Sequence, residues 1–470
     1  MKNRDISIDA LRGFAILTMV LSGSIAYGDV LPAWMFHAQV PPPLHKFNAT
    51  IPGITWVDLV FPFFLFSMGA AMPLALKKYV DTKAGFIPVF KIALKRLLLL
   101  TFFALFVNHM KAWAISDNPT NIDHLLSIIA FVLLFFQLYE NKYEQYKTFF
   151  LIAKIISFAI AVFLLWKLSF WKGKGFDFYR SDIIIMLLGN MAFFGTLIYY
   201  FTATKPHFRM GILVFIIAIF LAAKEPTDSW TKAVFQFNHI GSFYFDWMYQ
   251  FYFLKYLFIV IPGTIAGDFI VQSFTQKQQE QVMQTKTNWI LVFISIGLLV
   301  LNLYGLFTRN LVFNFITSSL ICTTGLLLHR FVFINEVVKK MIELGSYLLL
   351  LGLCFEAYEG GIKKDVSTYS YYFVTSGLAF FMVICFSILS KQKFFNKIVQ
   401  FFSTNGQNPM VAYVAGNLIV LPLLSITQLK PYWTAMQQNI VMGCLKGIVF
   451  TAVVSLITIF FVKKKWFWKT

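Results

Sequence analysis

Charge is what this sequence has least of. Only 13% of its 470 residues are Asp, Glu, Lys or Arg, and just 21 are acidic. A soluble domain carries about a quarter charged residues, so this composition lies far outside the soluble range. Cysteine is scarce as well. Cys322, Cys354, Cys385 and Cys444 all fall in apolar runs, with neither the spacing of a metal site nor a disulfide framework, and read as buried, inert thiols. No glycine loop for phosphate and no dinucleotide fold is visible, which argues against the common soluble nucleotide enzymes.

What is present is apolar: 58% of the chain, including 56 Phe. Runs of about 17–25 apolar residues, long enough to cross a bilayer core of about 30 Å, recur throughout. The candidate spans are 11–27, 56–76, 90–108, 123–140, 148–167, 183–201 and 207–222, then 252–272, 288–307, 310–328, 342–357, 370–390, 405–425 and 441–462. They predict an all-α, polytopic transmembrane helix bundle of about 11–14 spans. It forms a single domain over 1–470, richest in motifs over 1–110 and 245–470. Lys2 and Arg4 precede the first run, but Asp9 and Arg12 interrupt it, so it reads as an uncleaved first helix.

The net charge of +19 has a topological reading. With the N-terminus in the cytoplasm, 25 of the 40 basic residues fall in inner segments, 12 in outer ones and three within spans. That bias predicts N-in, C-in and implies no nucleic-acid partner. The polar run "SFTQKQQEQVMQTK" at 274–287 reads as a cytoplasmic connector, and 331–343 as an amphipathic stretch lying at the interface.

Histidine is the side chain best suited to moving protons near neutral pH. The same topology places His37, His45, His109, His124 and His239 outside. His37 and His45 flank the triplet Pro41 to Pro43, which stiffens a loop just ahead of "GITWVDLVFPFFLFSMG" at 53–69. Such a loop suits a reaction centre, and its rigidity would serve packing equally well. Asp58 falls where a helix begins, able to accept free backbone N–H groups, with Pro62 expected near the first turn. Asp9 and Arg12, three apart on one face, predict a local ion pair. Asp246 and Asp268 sit at membrane boundaries, where a carboxylate needs a partner or a water-filled cavity.

Five segments, in order, resemble one family. "DALRG" at 9–13 and the 53–69 segment are similar to the start of the heparan-α-glucosaminide N-acetyltransferase family and its bacterial relatives. "FDWMYQF" at 245–251, with Gly263 and Gly267 beyond it, resembles that family's acidic segment and glycine-rich helix, without its Pro and Glu. "IKKDVSTYSYYFVTSGLAFF" at 362–381, "NGQNPMVAYV" at 405–414 and the tail "FFVKKKWFWKT" at 460–470 complete the likeness. Still closer is a bacterial domain family of unknown function that shares "HAQ-PPP-H-F" with the helix that follows.

The resemblance implies a multispan enzyme that moves acetyl from cytosolic acetyl-CoA to an amino sugar or envelope polysaccharide outside, in a bacterial inner membrane. A histidine between the first two helices would act. His45 is the nearer match and His37 the competitor, with Asp58 beside them. The family's upstream asparagine aligns with Gly23, between Ser22 and Ser24, so that role is vacant. Asp9, Arg12, Asp246, Lys363, Ser367, Tyr369, Asn408 and Tyr413 complete the substrate and cofactor candidates, and no metal is expected. Lys363 and Lys364 suit CoA phosphates but fall outside. Asn408 and Tyr413, roughly a helical turn apart, suit either an oxyanion or interhelical hydrogen bonds. The expected partners are the bilayer and a small-molecule or glycan acceptor, with a homodimer as a further option. The rival class is a proton-coupled transporter, in which the same Asp and His groups form a relay.

Overall fold

The computed structural model describes residues 5–82, 85–226, 228–275 and 283–469. Lys2, Arg4, Lys83 and Lys277, which enter the charge count, lie outside the described residues, as does half of the 274–287 connector. The helices run α1 (Ile6–Ser22), α2 (Trp56–Asp81), α3 (Phe86–His109), α4 (Asn121–Leu138), α5 (Lys147–Lys167), α6 (Ile183–Thr202), α7 (Pro206–Ala222) and α8 (Leu257–Thr275). They continue as α9 (Thr285–Phe307), α10 (Leu311–Leu327), α11 (Glu336–Cys354), α12 (Tyr369–Leu389), α13 (Asn396–Gly406), α14 (Pro409–Ile426) and α15 (Ile440–Lys463). Among the described residues the only sheet is a short hairpin, His239–Ile240 with Phe243–Tyr244.

Ten of these helices are long and apolar enough to cross a membrane: α2, α4, α5, α6, α8, α9, α10, α12, α14 and α15. The chain is therefore an integral, multi-pass helical bundle. Each of the fourteen apolar runs coincides with a helix, and α13 is a fifteenth that hydropathy alone did not separate from α14. The 331–343 stretch is not a surface helix of its own. From Glu336 it forms the first turns of α11, whose Val338, Met341 and Ile342 are buried in the bundle. Pro62 also departs from expectation. Thr55 caps α2, so Pro62 falls at the seventh helical residue rather than in the first turn.

Burial divides the bundle into core and rim. The apolar window of α12 is 89% buried, whereas that of α5 is 17% buried and presents Phe149, Ile152, Ile156, Phe163 and Trp166 outward. Of the four cysteines, all free, Cys322 and Cys385 are buried as expected, whereas Cys354 is exposed. A helix apolar on every side is either a core helix or one facing lipid, and composition cannot separate the two.

Two close helix contacts explain the glycines in the resembling motifs. A Cβ on Gly13 would lie 1.8 Å from the carbonyl oxygen of Phe402, and one on Gly406 would lie 1.9 Å from that of Asp9. The glycines of "DALRG" and "NGQNP" thus let α1 and α13 touch backbone to backbone. On the other side, Gly69, Gly263 and Gly267 bring α2 against α8, where added Cβ atoms would meet carbonyl oxygens at 2.2–2.4 Å. Small residues at helix crossings are how bundles pack where lipid supplies no hydrophobic driving force.

These contacts define two poles. At one, the starts of α2, α8 and α12 meet the loops that follow α1, α9 and α11. The ties are Gly53 N–H to the Ile362 carbonyl at 2.7 Å, the Tyr371 hydroxyl to the Asp58 carbonyl at 2.8 Å, and an Arg309–Glu356 ion pair at 2.5 Å. At the other, the end of α6, the start of α7 and the end of α8 meet through Arg209 and Asp268, 2.8 Å apart.

Candidate functional site

The three residues His37, Ala38 and Gln39 act together at the first pole. His37 sits between two carboxylates, with Nδ1 2.6 Å from Asp58 Oδ1 and Nε2 2.9 Å from Asp365 Oδ2. The Ala38 N–H donates to Asp58 Oδ2 at 3.2 Å. Gln39, fully buried, clamps the backbone of Asp365: its Oε1 accepts the Asp365 N–H at 2.8 Å and its amide donates to the Asp365 carbonyl.

The two carboxylates differ in surroundings. Asp58 has no exposed side-chain surface. As the third residue of α2 it closes a capping box, accepting the Thr55 N–H at 2.9 Å near the positive end of the helix dipole. Asp365, in the loop between α11 and α12, is 48% exposed. His37 is thus oriented by a buried acid on Nδ1 and met by a solvent-facing acid on Nε2. Burial by itself pulls the imidazole pKa down. The hydrogen bonds to Asp365 and Asp58, with the charge of Asp58, outweigh it and hold the group above its ordinary 6.5. For Asp365, burial pushes upward, but the His37 hydrogen bond and the Lys364 and His37 charges bring the carboxyl below its usual range.

A polar cluster continues inward from Asp365. Ser367 Oγ lies 2.8 Å from the Tyr252 hydroxyl and 2.5 Å from that of Tyr372. Buried Lys255 donates to the Ser367 carbonyl at 3.1 Å, pairs with Glu359 at 3.4 Å and stands 4.8 Å from the Tyr369 ring centre. Glu359 also accepts the Tyr369 N–H at 3.0 Å and pairs with Lys224 at 3.2 Å.

His45 is placed elsewhere. Its Nε2 lies 2.9 Å from both the N and the O of Gly28, and its Nδ1 lies 3.3 Å from the Val40 carbonyl. Its ring packs edge-on against Phe36 at 4.5 Å and Tyr27 at 5.0 Å. It staples the loop that carries His37 and touches neither carboxylate. The remaining candidates disperse. Asp9 and Arg12 form the expected ion pair at 3.4 Å, and Arg12 reaches the Ser67 carbonyl at 3.1 Å. Asp246 accepts from the Tyr179 hydroxyl at 2.8 Å in a surface loop. Asn408 holds the C-terminal tail, donating to the Trp466 carbonyl at 2.9 Å and accepting the Trp468 N–H at 3.1 Å. The Tyr413 hydroxyl donates to Asp182 at 2.8 Å. Lys363 and Lys364 immediately precede Asp365 in the same loop, where the Lys363 N–H donates to Thr368 Oγ1 at 3.1 Å.

Asp365, Gln39, Lys255 and Glu359 were not singled out from the sequence. Gln39 was within reach, since it stands two residues after His37 in a shared motif. Asp365 was not, because 328 residues separate it from His37.

A cavity of about 1000 Å³ lies at the opposite pole, between the start of α1, the end of α8, the start of α11 and the end of α12. Lys340, Lys391, Asn288, Ser387 and Ser390 line it, and neither His37 nor His45 does. From Leu257 to Phe269, α8 separates the two poles by about 18 Å at 1.5 Å per residue.

No curated protein matches the chain. One family does match, over residues 4–270, a stretch that holds His37, Asp58 and Lys255 and ends before Asp365. With more than half of its length inside that match, the chain belongs to the family described as a domain of unknown function, DUF5009.

Proposed function

We propose that the chain is a membrane acyltransferase in which His37 is the catalytic base. The observation that carries this reading is the asymmetric clamp on the imidazole: buried Asp58 on Nδ1, half-exposed Asp365 on Nε2. In the neutral ring Asp58 holds the proton on Nδ1, which leaves the Nε2 lone pair toward solvent, the arrangement of a base with its orienting carboxylate. The acceptor takes the place of Asp365 at Nε2. Its amine or hydroxyl attacks the thioester carbonyl of acetyl-CoA, the new C–N or C–O bond forms and the C–S bond breaks. Nε2 takes the acceptor's proton and returns it to the departing thiolate.

The bias of basic residues makes the His37 pole the outer one, which favours an extracytoplasmic amino sugar or polysaccharide as acceptor. The inner cavity offers the donor's phosphates Lys340 and Lys391, beside Asp5 and Glu336, and its volume is at the upper end for ligand sites. Acyl transfer requires the donor's arm to cover the distance between the poles. A proton-coupled transporter is the second reading, favoured by the separation of the inner cavity from the His37 pole, which suits two ends of a substrate path.

The test is to incubate the purified protein in detergent with radiolabelled acetyl-CoA and glucosamine, comparing wild type, His37→Ala and His45→Ala. Label transfer and CoA release lost only in His37→Ala support the reading. Activity that survives His37→Ala, or a wild type that neither binds nor turns over the donor, overturns it.

A further inference from the structure

A second cavity, of about 350 Å³, opens between the ends of α1, α3 and α14 and the starts of α6 and α15. Into it points Lys446, the seventh residue of the apolar helix α15 and only 7% exposed. No carboxylate among the described residues pairs with it, and its ammonium is 5.7 Å from the centre of the Trp433 ring. Gly443 and Gly447, on the same helix, pack against Ala26 and Ile25, so α15 is held close to α1 at this level.

Charge in the cavity does not balance. Lys111 and Lys446 contribute two cations and Asp182 one carboxylate. Asp182 is already engaged: both oxygens accept from Tyr413, Oδ1 accepts the Ile185 N–H, and Lys111 stands 3.8 Å away. The charge left over is that of Lys446. An uncompensated ammonium at this depth costs several kcal/mol, and such residues are retained where they pair or bind. A π-helical turn at Gly416–Val420 carries Asn417, an exposed residue, at the rim of the same cavity. Turns of this kind recur at functional sites. Beside these groups, Trp433, Phe450 and Leu421 give the cavity apolar lining.

We propose that this cavity binds an amphiphilic monoanion, with its charged head on Lys446 and Asn417 and its apolar body against Trp433 and Phe450. The volume corresponds to roughly a dozen water molecules, which suits a single ring bearing an acid group or the head region of an anionic lipid. The site is separate from His37 and stands whether or not His37 catalyses acyl transfer.

The test is calorimetric titration of the purified full-length protein with benzoate and with benzamide, its uncharged counterpart. Wild type is expected to bind benzoate at one site and to ignore benzamide. Lys446→Gln weakens benzoate by about tenfold or more, while Lys446→Arg, which keeps the charge, stays within about threefold. The Arg variant, with a monodisperse elution profile, separates lost binding from lost folding. Nanodiscs of phosphatidylcholine with and without phosphatidylglycerol then identify the source. Benzoate affinity reduced by phosphatidylglycerol in the wild type points to a lipid head, and unchanged affinity to a dissolved acid. Equal benzoate affinity in wild type and Lys446→Gln, equal binding of benzamide, or no binding of benzoate to the wild type overturns the proposal.

Discussion

The two poles of the bundle each bury charge, and they do so in opposite ways. At one, Arg209 has no exposed side-chain surface and four hydrogen bonds. It donates to Asp268 Oδ2 at 2.8 Å, Thr264 Oγ1 at 2.9 Å, Thr202 Oγ1 at 3.0 Å and the Thr202 carbonyl at 3.1 Å. Four of the five guanidinium N–H donors are taken by groups from two helices, α6 and α8, as a buried charge requires. At the other, His37 has just two carboxylates, one of them half in solvent. A closed network fixes helices; an open one leaves a nitrogen that an incoming molecule can take over. The first kind of buried charge is architecture and the second is chemistry, although both read from sequence as polar residues at a helix end.

This contrast is breakable by mutation, and the largest effect belongs to His37. His37→Ala is expected to lower acyl transfer by about 10²–10⁴-fold while the protein still folds, with a melting temperature that falls less than that of Arg209→Met, measured by CoA release and a thermal melt of the same preparation. An equal loss from His45→Ala would erase the distinction drawn between clamp and staple. Arg209→Met reverses the pattern. It strands Asp268 and is expected to cost about 3–5 kcal/mol, seen as a large fall in melting temperature, and Arg209→Met with Asp268→Leu should recover much of it. If the single variant melts like the wild type, the Arg209 pole is not architecture.

Smaller effects sharpen the comparison. Because His37 titrates above 6.5 in the fold, transfer that needs its neutral form rises with pH through that elevated value. Asp365→Asn removes a hydrogen bond that raises it, so the rising limb should move to lower pH, read from rate profiles. The matching stability term has the opposite sense. It is fully present below 6.5 and is lost as pH rises through the folded-state pKa, which a melting series across that window would record. Smallest of all is Lys224→Ala. Its ammonium is 56% exposed beside Glu359, and the change should cost no more than about 1 kcal/mol by thermal melt.

Much of the fold was legible before any coordinates. Bilayer thickness converts directly into run length, so each apolar stretch found its helix, and the capping role of Asp58 follows from a carboxylate three residues after Thr55. Half of the site was legible too, as His37 and Asp58 lie in one short segment. The choice between His37 and His45 was not. Both flank the same prolines, and only the placement of the loop decides which ring meets a carboxylate. Asp365 was out of reach for the same reason.

The sequence by itself determined that the chain is a membrane helix bundle, because a composition so poor in charge can be solvated only by lipid or by other helices. It also located each apolar helix, though not its ends: the 11–27 run is Ile6–Ser22 in the fold and the 342–357 run is Glu336–Cys354. Which helix is core and which is rim, which histidine is clamped, and that Lys446 faces a cavity were decided by tertiary packing. Glycine contacts such as Gly13 with Phe402 set the distances between helices, and those distances bring together groups hundreds of residues apart.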